Sequence, residues 1–307
     1  MKIVFFGSDD FAVANLKTLI KSGRRVVACV TPPDKEKGRG LKTSFSPVKE
    51  CAQEYQIPVF QPGSLDDESF LRAIRGLESD LFVVIAYGKV LPEALLSAPR
   101  LFSVNVHASL LPKYRGAAPI NWAIINGERQ TGVTVIKLSP RLDAGDILSQ
   151  ARLDIDDTDT AVTLRGKLAC LGADFLNDTI QAIQSGEVQS VPQDSKKATF
   201  APKLTKGLGM IDWQHPAQRI HNLVRGLQPW PSAYTFYKNK MLKILETEVV
   251  CESAGSPGTV IRFVPSGFVV QTGGQGLCVK KVHLASGKAM MAKDFILGHR
   301  LELGTRF

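Results

Sequence analysis

The apolar run Lys2-Ile3-Val4-Phe5-Phe6 passes through Gly7-Ser8-Asp9-Asp10 into a stretch with apolar residues at Phe11, Ala14, Leu16, Leu19 and Ile20, and then into Val26 to Val30. Short continuous apolar runs mark buried strands, and the three-to-four spacing between them marks an amphipathic helix, so the chain opens as β-α-β. The rhythm continues with a helix over Pro47 to Tyr55, a short strand Val59-Phe60, a helix over Asp66 to Arg75 and the wholly apolar strand Leu81 to Ala86. Strands without polar alternation are covered on both faces, as in a parallel sheet with helices above and below.

Residues 1–189 therefore predict a doubly wound, Rossmann-like, mostly parallel α/β domain, closed by a helix over Thr160 to Gln184. Residues 190–206 turn to Ser, Gln, Pro and Lys with no sustained apolar period and are expected to be a linker. Beyond it the period changes. A helix over His215 to Leu227 precedes strand candidates Ala233-Tyr237, Leu242-Leu245, Gly258-Phe263, Gly267-Thr272 and Leu277-Leu284, separated by Gly, Pro, Ser or Asn turns. Short strands at this density predict a small C-terminal β-barrel, OB-like, over residues 207–307.

Length and charge sharpen this picture. The 307 residues, 44% hydrophobic and 22% charged, suit two globular domains and exclude a disordered or collagenous chain. No apolar run approaches the roughly 20 residues that span a bilayer, and the first strand begins straight after Met1. Neither a leader nor a membrane anchor is expected. The cysteines (Cys29, Cys51, Cys170, Cys251, Cys278) are odd in number and form no Cys-x-x-Cys pair, which predicts buried thiols in a reducing cytoplasm. The net charge is +9, and residues 207–307 hold 12 Lys and Arg against 6 Asp and Glu. That imbalance suits a polyanionic partner without requiring one.

The chemistry-bearing residues lie in two places. After the first strand, Gly7-Ser8-Asp9-Asp10 lacks the glycine spacing of a dinucleotide site, and its carboxylates suit a helix cap instead. In Val104-Asn105-Val106-His107, strand alternation puts Asn105 and His107 on one face, about 7 Å apart. The Pro- and Gly-containing loop Ser109 to Pro119 follows, where ligands bind in open α/β sheets. A buried structural Asn/His pair fits the spacing equally well. A second cluster, Arg141-Leu142-Asp143-Ala144-Gly145-Asp146, follows the strand Val133 to Leu138; either carboxylate meets the imidazole if the strands are neighbours, or is only a turn residue.

The stretch His107-Ala-Ser-Leu-Leu-Pro-Lys-Tyr-Arg-Gly-Ala-Ala-Pro119, with Asn105 before it and Leu142-Asp143-Ala-Gly-Asp146 after it, closely resembles the folate-dependent formyltransferases. Pro33-Asp34, Gly38-Arg39-Gly40, Ser46-Pro47-Val48-Lys49, Ala86-Tyr87-Gly88, Ile211-Asp212-Trp213 and Pro229-Trp230-Pro231 extend the resemblance, in order, to the branch acting on methionyl-tRNA. The chain departs from the family pattern at Ser8-Asp9-Asp10 and at Leu138-Ser-Pro-Arg141, which puts local loop shape in doubt and leaves the catalytic positions intact.

The resemblance implies formyl transfer from 10-formyltetrahydrofolate to the α-amino group of methionyl initiator tRNA, with Asn105, His107 and Asp143 catalytic. Amine attack puts negative charge on the formyl oxygen, to which Asn105 and His107 are expected to donate while Asp143 favours the imidazolium or helps move the amine proton. Ala86, Tyr87, Gly88, Ser109, Leu110, Leu111 and Pro112 are expected to line the folate site. Lys35, Lys37, Arg39 and Lys42 in a basic loop, with Lys203 and Lys206 and linker residues Lys196 and Lys197, are expected to meet tRNA phosphates. Trp213 and Trp230 are expected to be core anchors, and no metal, no membrane and a monomer are expected. Two other readings remain: a formyltransferase acting on a nucleotide-linked amino sugar, and a catalytically silent RNA-binding protein on the same scaffold.

Overall fold

The computed structural model describes residues 1–37 and 42–307. The first half runs β1 (Lys2–Gly7), α1 (Asp10–Lys21), β2 (Arg25–Val30), β3 (Lys35–Lys37), β4 (Lys42–Ser44), α2 (Pro47–Glu54), β5 (Val59–Phe60), α3 (Glu68–Gly76), β6 (Leu81–Ile85), α4 (Glu93–Leu96) and β7 (Phe102–His107). It continues through β8 (Arg115–Gly116), α5 (Pro119–Ile125), β9 (Gln130–Lys137), β10 (Ile147–Asp154), α6 (Ala161–Ser185) and β11 (Phe200–Ala201). Helices α1, α2 and α3 start where the sequence offers a capping oxygen. Asp9 accepts from the Ala12 amide at 3.2 Å, Ser46 from Lys49 at 3.1 Å with Pro47 opening the helix, and Asp67 from Phe70 at 2.9 Å. Each such cap is worth about 1 kcal/mol.

Among the described residues, a seven-stranded sheet runs in the order β10-β9-β7-β6-β1-β2-β5. From β5 to β7 the strands are parallel, β9 runs antiparallel to β7, and β10 antiparallel to β9. The chain leaves β1 towards β2 and β5 and then returns to build β6 and β7 on the other side. The carboxyl ends of β1 and β6 therefore diverge into the crevice where open α/β sheets bind ligands. Ser8 Oγ spans that point by donating to the Ala86 carbonyl at 2.6 Å. Phe6 and Phe82, both fully buried with ring centroids 5.1 Å apart, fill the sheet beneath it. Burying each such ring contributes about 1.5–3 kcal/mol.

The remaining elements are α7 (Ala217–Gly226), β12 (Ala233–Tyr237), β13 (Lys240–Val250), β14 (Val260–Val264), β15 (Gly267–Gln271), β16 (Gly276–Leu284), β17 (Ala289–Met291) and α8 (Ala292–His299). They form an antiparallel sheet ordered β12-β13-β16-β15-β14, with β17 added to β16. Ile220, Val224, Leu242, Ile244, Phe268, Val279 and Phe295 share its core. The chain folds into two compact units: residues 1–116, 130–154 and 165–201 in one, and residues 117–129, 155–164 and 202–307 in the other.

Two expectations need correction. Trp213 is a core anchor, its indole N–H donating to Thr235 Oγ1 at 3.3 Å and its ring stacked on Phe307, but Trp230 is 49% exposed. Its flanking prolines lack the N–H that a ladder or helix needs, so it stays in the turn before β12. Cys29, Cys51 and Cys278 are buried as expected, whereas Cys170 on α6 and Cys251 beyond β13 are exposed. Among the described residues no helix is long and apolar enough to cross a membrane.

Candidate active site

His107 is the last residue of β7 and Asn105 lies two residues earlier, so strand alternation turns both side chains to one face. Register pairs Asn105 with Val84 of β6 on one side and Ile136 of β9 on the other. His107 is 6% exposed and Asn105 is half-buried. Among the described residues the Asn105 side-chain amide makes no hydrogen bond, which leaves an N–H donor at a strand end.

The imidazole is held from both sides. Nε2 lies 2.9 Å from the Tyr114 carbonyl oxygen, and Nδ1 lies 3.6 Å from Asp143 Oδ1. Both neighbours are acceptors, one hydrogen-bonded to Nε2 and the other facing Nδ1. Asp143 Oδ2 accepts from the Gly116 amide at 2.9 Å. The carboxylate arrives on a turn in which Asp143 itself adopts φ 49°, a left-handed conformation that Asp tolerates better than most residues. Because β9 is antiparallel to β7, the turn reaches His107 by folding back from the far end of β9.

Around this trio lies a polar frame that sequence reasoning missed. Gln193 Nε2 donates to the carbonyls of Asp143 (2.9 Å) and Gly145 (2.7 Å), and its Oε1 accepts from Arg115 Nε and Nη2 at 3.1 and 2.7 Å. Thr199 Oγ1 accepts from the Tyr114 amide and its carbonyl from the Arg115 amide, both at 2.9 Å. Thr134 Oγ1 accepts from the Leu111 amide (3.1 Å) and donates to the Ser109 carbonyl (2.6 Å), and Gln150 Nε2 reaches both Thr134 Oγ1 and the Leu111 carbonyl. Thr134 was detectable as a polar residue inside the apolar run Val133 to Ile136. Gln193 and Thr199 carry no such mark, since polar residues in a polar segment predict only exposure.

The expected donor-binding residues gather at the same sheet edge. Ala86 and Gly88 are exposed with φ 47° and 80°, while Tyr87 turns inward, edge-on to Phe6 at 5.6 Å. Burial pushes the Tyr87 hydroxyl up to about 12, and among the described residues this hydroxyl has no partner. Ser109 and Leu111 are buried, Leu110 and Pro112 half-buried, and Ser109 Oγ donates to the Lys113 carbonyl at 2.7 Å. The Ser109 side chain thus closes its own loop.

The expected tRNA-contacting residues are divided between the two units. Lys35 and Lys37 lie on β3 and Lys42 on β4, paired as a hairpin, and Arg39 lies outside the described residues. Asp34 at the hairpin's base pairs with Lys49 and accepts from Gln61 at 2.8 Å. The Lys49 ammonium, then the Gln61 amide, hold the Asp34 carboxyl below its usual value of 3.8. Lys203 and Lys206 belong to the second unit and are exposed. Among the described residues no group of three or more His, Cys, Asp or Glu side chains is placed to hold a metal ion.

A family profile described as formyl transferase matches residues 1–180, and one described as formyl transferase, C-terminal domain, matches residues 203–300. The methionyl-tRNA formyltransferase of Caldanaerobacter subterraneus is 46% identical over 308 residues, covering 99% of both chains. That of Acetivibrio thermocellus is 45% identical over 306 residues, covering 99% of this chain and 98% of its own. Among solved structures, the sugar 3N-formyl transferase WlaRD, with dTDP and 5-N-formyl-THF, superposes with TM-score 0.70 at 19% identity, covering 94% of this chain and 99% of its own. HypX from Aquifex aeolicus in complex with tetrahydrofolic acid gives TM-score 0.64 at 15% identity, covering 96% and 47%. At these identities the structural likeness is one of fold.

Proposed function

The chain belongs to the formyl transferase family, and from that premise we propose that it transfers the formyl group of 10-formyltetrahydrofolate to the α-amino group of methionyl initiator tRNA. The observation that carries this reading is the end-to-end similarity to methionyl-tRNA formyltransferases over both halves of the chain. The geometry at the end of β7 supplies the chemistry. Residues 1–189 act as the catalytic domain, and residues 207–307, beyond the segment 190–206, act as a tRNA-contacting domain.

The substrate's amine is the nucleophile, and with a reference pKa of about 7.7–8.0 it keeps a neutral fraction near pH 7. Its attack on the formyl carbon places negative charge on the formyl oxygen. The Asn105 amide, which makes no hydrogen bond among the described residues, donates to that oxygen, and His107 stands beside it with Nε2 on the Tyr114 carbonyl and Nδ1 facing Asp143. Asp143 keeps the ring oriented. As the intermediate collapses the C–N10 bond breaks, and the proton lost by the attacking nitrogen is the one that N10 of the leaving tetrahydrofolate gains. Asp143, through water, is the group that carries it. The donor lies along Ala86 to Gly88 and Ser109 to Pro112, and the basic side chains Lys35, Lys37, Arg39, Lys42, Lys203 and Lys206 meet tRNA phosphates.

The test is acceptor choice. Given 10-formyltetrahydrofolate, the protein should formylate methionyl initiator tRNA and leave a nucleotide-linked amino sugar unmodified; formylation of the sugar alone would overturn the reading.

A further inference from the structure

The two groups that flank His107 are both held by a single short segment, residues 193–201. Gln193 grips the turn that carries Asp143 through two carbonyls, and Thr199 grips Tyr114 and Arg115 through its hydroxyl and carbonyl. We infer that Gln193 and Thr199 are positioning residues that hold the carboxylate and the carbonyl on either side of the imidazole at their working distances.

The hydrogen bonding at Gln193 is complete. Both amide protons go to backbone carbonyls of the Asp143 turn, and Oε1 takes the fork of Arg115, a side chain only 8% exposed. Two donors and two acceptor directions are everything a primary amide offers, and no other side chain except the shorter Asn offers the same set. Arg115 lies next to Gly116, whose amide binds Asp143 Oδ2, and pairs through β8 with β11. Gln193 thus ties the backbone of the Asp143 turn to the strand that binds the Asp143 carboxylate. Releasing it frees a turn whose Asp143 adopts a positive φ and whose carboxylate must keep Oδ1 facing the imidazole. On the other flank, Thr199 fixes the amide of the residue whose carbonyl meets Nε2. Displacement of either group by about 1 Å suffices for a loss of the order of 10²-fold.

This inference rests on the catalytic role proposed for Asp143, and the experiment separates the two. Gln193→Ala, Gln193→Glu, Thr199→Val and Asp143→Ala are made singly, and each Gln193 and Thr199 change is also combined with Asp143→Ala. kcat and KM for both substrates are measured, with thermal melts to confirm folding. Gln193→Ala should lower kcat about ten- to a hundredfold with KM changed less than about twofold. Gln193→Glu keeps an acceptor for Arg115 but turns oxygens towards the two carbonyls, so it should not rescue. In the Asp143→Ala background the Gln193 changes should cost nothing further, because the group they position is gone. Thr199→Val should lower kcat in both backgrounds, since it acts on the Tyr114 side. A Gln193→Ala enzyme with unchanged kcat, or one whose loss multiplies fully with that of Asp143→Ala, would overturn the inference. Should Gln193→Ala fail to fold, the same cycle on Gln193→Glu decides. An unimpaired Asp143→Ala enzyme would instead overturn the catalytic reading itself.

Discussion

Nδ1 of His107 lies 3.6 Å from Oδ1 of Asp143, with the two side chains 6% and 9% exposed. Little water screens that contact, and the second carboxylate oxygen is taken by the Gly116 amide, so the pair has a defined direction. Asn105 lies two residues before His107 on the same face of β7, and among the described residues its amide makes no hydrogen bond. Replacing Asn105 by Ala should lower kcat by about 10²–10³-fold, as expected for one oxyanion donor, and His107→Ala by about 10²–10⁴-fold. Folate and tRNA affinities, measured by equilibrium titration, should stay near wild type. A folded His107→Ala protein with a normal rate would remove the imidazole from the mechanism.

The Asp143 turn depends on a glycine for space rather than for backbone freedom. A Cβ on Gly145 would fall on the Lys137 carbonyl oxygen, where nothing flexible can give way. Gly145→Ala should cost about 1–3 kcal/mol in urea unfolding and lower kcat as well, because the Gly145 carbonyl is one of the two held by Gln193. A variant of normal stability and rate would show that the turn repacks freely.

The base of the basic hairpin should be pH-sensitive in a definite direction. Asp34 titrates below its usual value of 3.8 because Lys49 and then Gln61 bind its charged form. A carboxylate whose folded value is depressed stabilises the fold above its unfolded value, and loses that contribution as pH falls through the folded one. The urea midpoint of wild type should therefore exceed that of Asp34→Asn at neutral pH, with the gap closing below pH 3.8. A gap that widens on acidification would contradict the pairing with Lys49.

Lys203 and Lys206 offer exposed charge without a site of their own, so their effect on tRNA should be electrostatic. Replacing each by Ala should weaken binding similarly at all sequences and lower the slope of log K against log salt by about one unit. The check is filter binding from low to moderate salt. An unchanged slope in the double variant would take both lysines away from the phosphates.

Several elements were legible in the chain from local pattern alone. The strand Ala233-Tyr237 falls on its predicted limits, Val59-Phe60 likewise, and Asp9 caps α1 as its position before an apolar helical face implies. The helix foreseen over Asp66 to Arg75 begins at Glu68, since Asp67 is the capping residue. Less was legible where structure depends on a neighbour. β10 reads as an alternating polar segment because it lies at the sheet edge, and β17 and α8 were unforeseen because Ala289–Met291 is too short to show a period.

By itself the sequence determined the layered α/β architecture, the change of rhythm after residue 206 and the placing of Asn105 and His107 on one strand face, because these follow from periodicities that each segment carries alone. It could not decide which oxygen meets which ring nitrogen. That depended on an antiparallel β9, a turn folding back from its far end, and two residues some 50 to 90 positions away, Gln193 and Thr199, reaching the groups around His107. Such contacts join segments with no shared period, and only the packed chain brings their donors and acceptors within bonding distance.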